Sequence, residues 1–146
     1  MHQRHSIICA SYLLSFKENL VLLLRRLNTG YQDGKYSLPA GHVEEGESLL
    51  HCLIREAKEE VGLSLAAEDV TLEHTMHRNR TEGNQERLDF FFAGRDLESE
   101  PYNCEPDKCD DLRWFPTDQL PANTIPYIKQ AIEMTLNQEP YSEMHW

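Results

Sequence analysis

Three glutamates stand close together in the chain, at positions 56, 59 and 60. An α-helix has about 3.6 residues per turn, so a helix would place Glu56, Glu59 and Glu60 in one stripe roughly 100° wide. Clustered carboxylates repel one another and retain protons near neutral pH unless a cation compensates their charge. An oxygen-only cluster suits Mg²⁺, with Mn²⁺ as a substitute, because such hard cations keep several waters and meet their substrates through phosphate oxygens. The three residues therefore predict a divalent-metal site.

A solvated acidic helix face is the other explanation for a short run of charges. Two features of the sequence weigh against it. Lys58 and Arg55 do not alternate with all three acids, as they would on a surface covered by ion pairs, and glycines stand before and after the helix at Gly41 and Gly62. The helix also has a separate apolar face that predicts burial, formed by Leu50, Leu53, Ile54, Ala57 and Val61.

The stretch from 41 to 63, GHVEEGESLLHCLIREAKEEVGL, resembles the signature of the Nudix hydrolases. That signature reads Gly, five residues, Glu, seven residues, Arg-Glu, an apolar residue, any residue, Glu-Glu, any residue, Gly and an apolar residue. Every fixed position is met, by Gly41, Glu47, Arg55, Glu56, Ala57, Glu59, Glu60, Gly62 and Leu63. The order of the elements around this stretch also resembles the family across most of the chain.

The resemblance implies an enzyme that hydrolyses a nucleoside diphosphate linked to another group, using metal-activated water. It implies that Glu56, Glu59 and Glu60 are metal ligands and that the backbone carbonyl of Ala40 joins them. Arg55 and Glu47 would brace the loop and the helix around these ligands. An ordinary ion pair is the alternative for Arg55 and Glu47, but both stand at signature positions.

Three residues outside this stretch resemble functional positions of MutT-type enzymes. Glu105 resembles a loop glutamate that serves catalysis, Arg26 a phosphate-side arginine and Asn123 an asparagine that reads a purine base. A surface position explains Arg26 equally well, and a helix N-cap explains Asn123. A solvated acidic loop explains Glu105, whose neighbours also carry carboxylates at Asp107, Asp110 and Asp111.

The substrate is less well determined by the sequence. Some Nudix subfamilies carry a proline or a tyrosine about sixteen residues after the signature, and the segment 77–81 (HRNRT) has neither. The compact length and the similarity around Asn123 favour a MutT-like hydrolase of (d)NTPs, such as the oxidised purine 8-oxo-dGTP, that releases a monophosphate and pyrophosphate. A hydrolase of ADP-ribose or of a nucleotide sugar is the alternative, as is a non-catalytic Nudix-fold ligand-binding or regulatory domain. Such regulatory domains commonly lack signature carboxylates, which this chain retains.

Length and composition bound the remaining expectations. The 146 residues fit one domain, 1–146, and the formal net charge of −11 disfavours a nucleic-acid polymer or an anionic membrane as partner. A nucleotide substrate remains compatible with this charge, because bound Mg²⁺ inverts the local sign. The four cysteines show no paired spacing, which predicts reduced thiols. We expect a cytoplasmic protein, and the sequence is compatible with a homodimer.

The elements predicted around the signature form an α/β domain, and the resemblance implies an α/β/α sandwich with a mixed sheet. The apolar run 7–16 could be a leader segment, but a second apolar run after a polar turn favours a hairpin. Strands are predicted at 5–16, 20–27, 36–41, 70–80, 87–97 and 111–115. Helices are predicted at 48–61 and from 123 or 124 to 137. The segments 28–35 and 98–110 are predicted loops, 66–69 is a connector, 81–84 is a polar turn, and 139–146 has no assignment.

Overall fold

The computed structural model of the protein describes residues 3–146. Within these residues, eight strands and two α-helices follow one another along the chain. The strands are β1 (Ile8–Lys17), β2 (Leu20–Arg26), β3 (Tyr36–Ser37), β4 (Ala40–His42), β5 (Thr71–Arg78), β6 (Arg87–Arg95), β7 (Cys109–Pro116) and β8 (Tyr141–Met144). The helices are α1 (Leu49–Val61) and α2 (Pro126–Leu136), and a short 3₁₀ helix spans Ala67–Asp69.

The strands form one mixed sheet in the order β3-β2-β1-β6-β5-β8, with β4 paired to β1 and β7 paired to β2. The pairs β1–β6 and β5–β8 are parallel, and the other pairs are antiparallel. Strand β1 is central because β6 pairs along one side of it, while β4 and β2 share the other side. The predicted mixed sheet and the hairpin of the first two strands are confirmed.

One helix covers each face of the sheet. Leu53, Ala57 and Val61 of α1 pack with Leu13 and Phe92 on one face. On the other face, α2 packs against Tyr12, Phe91 and their neighbours through Tyr127, Ile128, Ala131 and Ile132. Adjacent residues Phe91 and Phe92 point to opposite layers, which confirms that the apolar centre of β6 is buried on both faces. The α/β/α sandwich is therefore confirmed.

Helix α1 is fixed at both ends by local chemistry. The hydroxyl of Ser48 accepts a hydrogen bond from the backbone N–H of His51 at 3.0 Å and caps the N-terminus. Gly62 ends the helix with φ of 69°, a left-handed conformation that favours glycine, and its N–H bonds back to the last turn. The predicted stop at Gly62 is confirmed, and Ser48 is the cap rather than the first helical residue.

Three predictions about the elements are wrong. The segment 36–41 is not one strand, because Leu38 and Pro39 separate β3 from β4. Helix α2 begins at Pro126 with Ile125 as its N-cap, so neither Asn123 nor Thr124 belongs to it. The region 98–110 is not all loop, because β7 already begins at Cys109.

The segment 139–146, which had no assignment, contributes β8 beside β5. No helix of the described residues is long and apolar enough to cross a membrane. All four cysteines are free, as the sequence predicts.

Candidate active site

The signature carboxylates line a cleft of about 500 Å³, which we call the carboxylate cleft. Helix α1 supplies Glu56, Glu59 and Glu60, and Ala40 of β4 lies opposite them. The fold brings further predicted residues to the same cleft, namely Arg26 at the end of β2, Arg55, and Glu105 from the segment before β7. Eight of the positions predicted for the site are thus close together or in direct contact with it, and Asn123 is the exception.

Arg55 forms ion pairs with four of the neighbouring glutamates, at positions 44, 47, 56 and 59. Its Nε and Nη2 atoms donate to the two oxygens of Glu47 at 2.7 and 2.9 Å, and its Nη1 atom donates to Glu56 at 2.7 Å. This forked pairing is the geometry that guanidinium groups favour. The Arg55 guanidinium lowers the pKa of Glu47 to about 2. Glu47 joins the loop before α1 to Arg55, which is the bracing contact that the resemblance implies.

Glu60 is not among the four glutamates that Arg55 contacts, so a negative charge on Glu60 would not be compensated by this arginine. Burial, followed by the hydrogen bond and the charge of Glu56, raises the pKa of Glu60 well above its usual range. The carboxylate of Glu105 also contributes to this increase. The Ala40 N–H donates a long hydrogen bond of 3.4 Å to Glu60 Oε1, which is a weak counterweight. A carboxyl in this position needs either a proton or a nearby cation.

Gly41 allows the carboxylate of Glu56 to reach this position. A Cβ atom at residue 41 would lie 2.2 Å from Glu56 Oε1, 2.3 Å from Cδ and 2.6 Å from Cγ. Only a residue without a side chain leaves this space to Glu56. The glycine of the signature is thus explained by a contact between β4 and α1.

The donor set fits a hard divalent cation. Glu56, Glu59, Glu60 and the carbonyl of Ala40 offer only oxygen atoms, which Mg²⁺ and Mn²⁺ favour. Within residues 3–146, no three acidic, histidine or cysteine side chains converge as a closed metal cage. The reason is visible at Arg55, because Glu56 and Glu59 both turn toward its Nη1 atom, at 2.7 and 3.4 Å. An open arrangement agrees with Mg²⁺, which is typically held by a few carboxylates, waters and substrate phosphates.

Glu105 is held in place by the backbone around it. The N–H groups of Tyr102 and Cys104 donate to the carbonyls of Val61 and Glu60, respectively. These hydrogen bonds join the segment 102–105 to the last turn of α1. The Asn103 side chain accepts from the N–H of Glu105 at 3.0 Å and donates to the carbonyl of Cys109 at 2.7 Å. The segment therefore positions Glu105 beside the carboxylates through a defined network of hydrogen bonds.

A second cleft, of about 660 Å³, adjoins the first, and we call it the tyrosine cleft. Both clefts share Arg26, Thr29, Ala40, Glu44 and Glu56. The tyrosine cleft extends away from Glu59, Glu60 and Glu105 toward side chains that are aromatic, polar or cationic. These are Tyr12, Tyr31, Tyr127, His42, Asn84 and Arg87.

Arg26 stands where the two clefts meet. Its Nε atom donates to the carbonyl of Tyr31 at 2.7 Å and its Nη2 atom to the hydroxyl of Thr29 at 3.0 Å. Asp33 closes the same loop by accepting from the N–H groups of Thr29 and Gly30. Arg26 is thus fixed by neutral acceptors, which leaves its positive charge to the cleft.

Sequence reasoning missed the residues at the far end of the tyrosine cleft. The Nη1 atom of Arg87 donates to Nε2 of His42 at 2.6 Å, and its Nε atom donates to Asn84 at 2.9 Å. Partial burial and the charge of Arg87 lower the pKa of His42, which keeps its ring a neutral acceptor. Arg87 and His42 lie 45 positions apart, and no local pattern in the sequence announces that they meet.

An ion pair supports the floor of the tyrosine cleft. Arg78 Nε donates to Asp89 Oδ2 at 2.6 Å, and both side chains are buried. The Arg78 guanidinium lies 3.6 Å from the ring centroid of Tyr127, which holds this tyrosine from behind. Burial favours the neutral Tyr31 phenol, but contacts with Tyr127 and Arg78 and the charges of Arg78 and Arg87 lower its pKa overall.

Asn123 does not line either cleft. Its side chain is exposed and donates to the carbonyl of Gly34 at 2.8 Å. The helix N-cap explanation for Asn123 is wrong, because Ile125 occupies that position. Through this hydrogen bond, Asn123 joins the segment before α2 to the loop before β3.

A family model for the NUDIX domain matches residues 4–135. The chain belongs to the Nudix family. It is 32% identical over 121 residues to the NAD-capped RNA hydrolase NudC of Pseudomonas aeruginosa, an alignment that covers 83% of this chain and 40% of that protein. An RNA pyrophosphohydrolase of Erythrobacter litoralis is 22% identical over 145 residues, covering 89% of this chain and 88% of that protein.

Solved structures show the same fold. The MutT NUDIX hydrolase from Burkholderia pseudomallei superposes with a TM-score of 0.80 at 23% identity, covering 88% of this chain and 98% of the other. The chain spans about two-fifths of the length of the NudC relatives that it matches. The family model therefore establishes the family, and the solved structure shows the fold.

Proposed function

We propose that this protein is a Mg²⁺-dependent nucleotide pyrophosphohydrolase, and that (d)NTPs, including oxidised purines such as 8-oxo-dGTP, are its first substrate class. The observation that carries the proposal is the junction of the two clefts at Arg26, Ala40 and Glu56. A nucleoside in the tyrosine cleft would place its phosphates among the carboxylates, in the cleft that Arg55 and Lys108 also line.

Each residue of the carboxylate cleft has a role in this proposal. Glu56, Glu59, Glu60 and the Ala40 carbonyl would hold the cation, which supplies neutralisation of phosphate charge and a lower pKa for bound water. Arg26 and Lys108 bind phosphate oxygens. Glu105 takes the proton from the attacking water, and Arg55 with Glu47 holds Glu56 in place.

The names of the relatives favour a second candidate, the diphosphate or triphosphate at the 5′ end of an RNA. The net charge of −11 opposes a long polyanion, because phosphate-backbone affinity depends on basic side chains. We therefore place free nucleotides first. ADP-ribose and nucleotide sugars are the remaining alternative.

A substrate screen tests the proposal. (d)NTPs, 8-oxo-dGTP, ADP-ribose, a nucleotide sugar and 5′-triphosphorylated RNA are each incubated with Mg²⁺ or Mn²⁺, and monophosphate, pyrophosphate and orthophosphate are separated. We expect the highest kcat/KM for a (d)NTP, with monophosphate and pyrophosphate as products. A preference for the RNA or for ADP-ribose would replace the substrate class, and the absence of any hydrolysis would refute the enzymatic proposal.

A further inference from the structure

Arg87 differs from most arginines of this protein in its partners. Arg25, Arg55, Arg78, Arg95 and Arg113 each form a salt bridge with a carboxylate. Within residues 3–146, Arg87 has no carboxylate partner within 4.0 Å and is held by the neutral acceptors of Asn84 and His42. In a chain with a net charge of −11, a cation that is oriented but not neutralised is available to an anionic ligand.

The position of Arg87 separates it from the phosphates that the carboxylate cleft would bind. Of the two clefts it lines only the tyrosine cleft, whereas Arg55 and Lys108 line only the carboxylate cleft and Arg26 lines both. His42, to which it donates, lies two residues beyond Ala40 on β4, which is roughly 7 Å along an extended strand. A group bound by Arg87 is therefore on the nucleoside side of the cleaved linkage.

The surroundings of Arg87 are also suited to a phosphoryl group. Phenol groups of Tyr31 and Tyr127 line the same cleft, and hydroxyls can donate to phosphate oxygens. The charges of Arg78 and Arg87 both act to lower the pKa of Tyr31, so both guanidinium groups lie near this phenol. Because Asp89 pairs with Arg78, the cations of the tyrosine cleft without a salt bridge among the described residues are Arg26, where the two clefts meet, and Arg87.

We propose that Arg87 recognises a phosphoryl group on the ribose of a bound nucleotide, so that the tyrosine cleft accepts nucleotides with a 2′- or 3′-phosphate in addition to the (d)NTPs of the proposed function. The inference rests on the proposed function, since it places the nucleoside in the tyrosine cleft. The guanidinium would donate to the ribose phosphate while Asn84 and His42 keep it oriented. The scissile diphosphate would contact other residues, in the carboxylate cleft.

The test is a binding measurement that needs no turnover. Adenosine 5′-monophosphate, 2′,5′-bisphosphate and 3′,5′-bisphosphate are titrated calorimetrically into the wild-type protein, Arg87→Gln and Arg80→Gln. Arg80 is the matched control, because it is exposed on the neighbouring turn and lines neither cleft. Its substitution removes the same charge from the protein.

We expect the wild type to bind one bisphosphate about 10-fold to 100-fold more tightly than the monophosphate. Arg87→Gln should abolish this difference in affinity and leave the affinity for the monophosphate within about twofold of the wild-type value. Arg80→Gln should behave as the wild type at physiological ionic strength. The better of the two bisphosphates identifies the position of the phosphate.

Equal wild-type affinity for all three ligands would overturn the inference, and so would an equal loss for all three in Arg87→Gln. Neither result bears on hydrolysis. Conversely, if the substrate screen shows no hydrolysis but the bisphosphate preference is present and depends on Arg87, the proposed activity fails and the binding site stands.

Discussion

Substitution of Gly41 by alanine tests the contact between β4 and α1. The added Cβ would lie 2.2 Å from Glu56 Oε1, so the carboxylate must move by roughly 1 Å or more to restore ordinary contact. Rotation of the carboxylate alone cannot relieve the clash, because Cγ of Glu56 would also be only 2.6 Å away. The whole side chain must change rotamer and leave its hydrogen bond with Arg55.

The expected consequence is a loss of catalysis without a loss of the fold. A displacement of about 1 Å at a catalytic group can cost about 10²-fold, and we expect kcat of Gly41→Ala to fall by that order. Gly41 lies in a strand and is not among the glycines with positive φ, so alanine does not strain the backbone. Steady-state kinetics and thermal unfolding are measured on the same preparations.

Gly34→Ala is the control for this experiment. Nothing lies within 4 Å of a Cβ at Gly34, but its φ of +82° is unfavourable for alanine by about 1–2 kcal/mol. This variant should therefore lose stability and keep its kcat, which is the reverse of Gly41→Ala. A folded Gly41→Ala enzyme with wild-type kcat would refute the assignment of Glu56.

Three further predictions concern the loop, the exposed asparagine and the buried ion pair. Glu105→Gln should lower kcat by about 10²-fold. Asn103→Ala should also lower kcat in the wild type but add little in the Glu105→Gln background, because Asn103 acts through Glu105. Additive losses in this double-mutant cycle would contradict the positioning role of Asn103. Asn123→Ala should cost about 1 kcal/mol in denaturant unfolding and leave the relative preference among nucleotides unchanged. Unequal changes in KM among purine and pyrimidine nucleotides would instead support a role for Asn123 in base recognition. Asp89→Asn should destabilise the fold by about 3–5 kcal/mol, because it leaves Arg78 buried without its counter-charge, and a loss below about 1 kcal/mol would show that the pair is not a structural support.

The parts of the fold that follow from local chemistry could be predicted from the sequence. Helix α1 has its cap at Ser48, its apolar stripe and its terminating Gly62 within one short segment, so each signal is available without the rest of the chain. The hairpin of β1 and β2 likewise needs only two apolar runs and a turn.

Pairing between distant segments could not be predicted. Strand β8 runs parallel to β5, with Thr75 opposite Tyr141, and parallel pairing leaves no turn signature in the sequence. The start of α2 was misplaced for a related reason. The N–H of Tyr36 and the carbonyl of Asn123 bond to each other, so a tertiary contact holds Asn123 out of the helix.

The candidate site divides in the same way. The glutamates of α1 share one helix, and their common face follows from helical geometry. The tyrosine cleft depends on Tyr31 from a loop, Tyr127 from α2 and Arg87 from β6, which meet only in the folded chain. The segment that carries Glu105 lies between these two cases. Glu105 itself was predicted from the sequence, but the hydrogen bonds that join its segment to α1 were not.

The most direct test of the central claim is hydrolysis of the best nucleotide substrate as a function of Mg²⁺ concentration. It compares the wild type with Glu59→Gln, Glu60→Gln and Glu68→Gln, the last being an exposed carboxylate outside both clefts. We predict no turnover in excess chelator, restoration by Mg²⁺ or Mn²⁺, a loss of several kcal/mol of transition-state stabilisation in Glu59→Gln and Glu60→Gln, and wild-type rates in Glu68→Gln. Full turnover of the wild type in excess chelator, or wild-type rates in both cleft variants, would contradict the account.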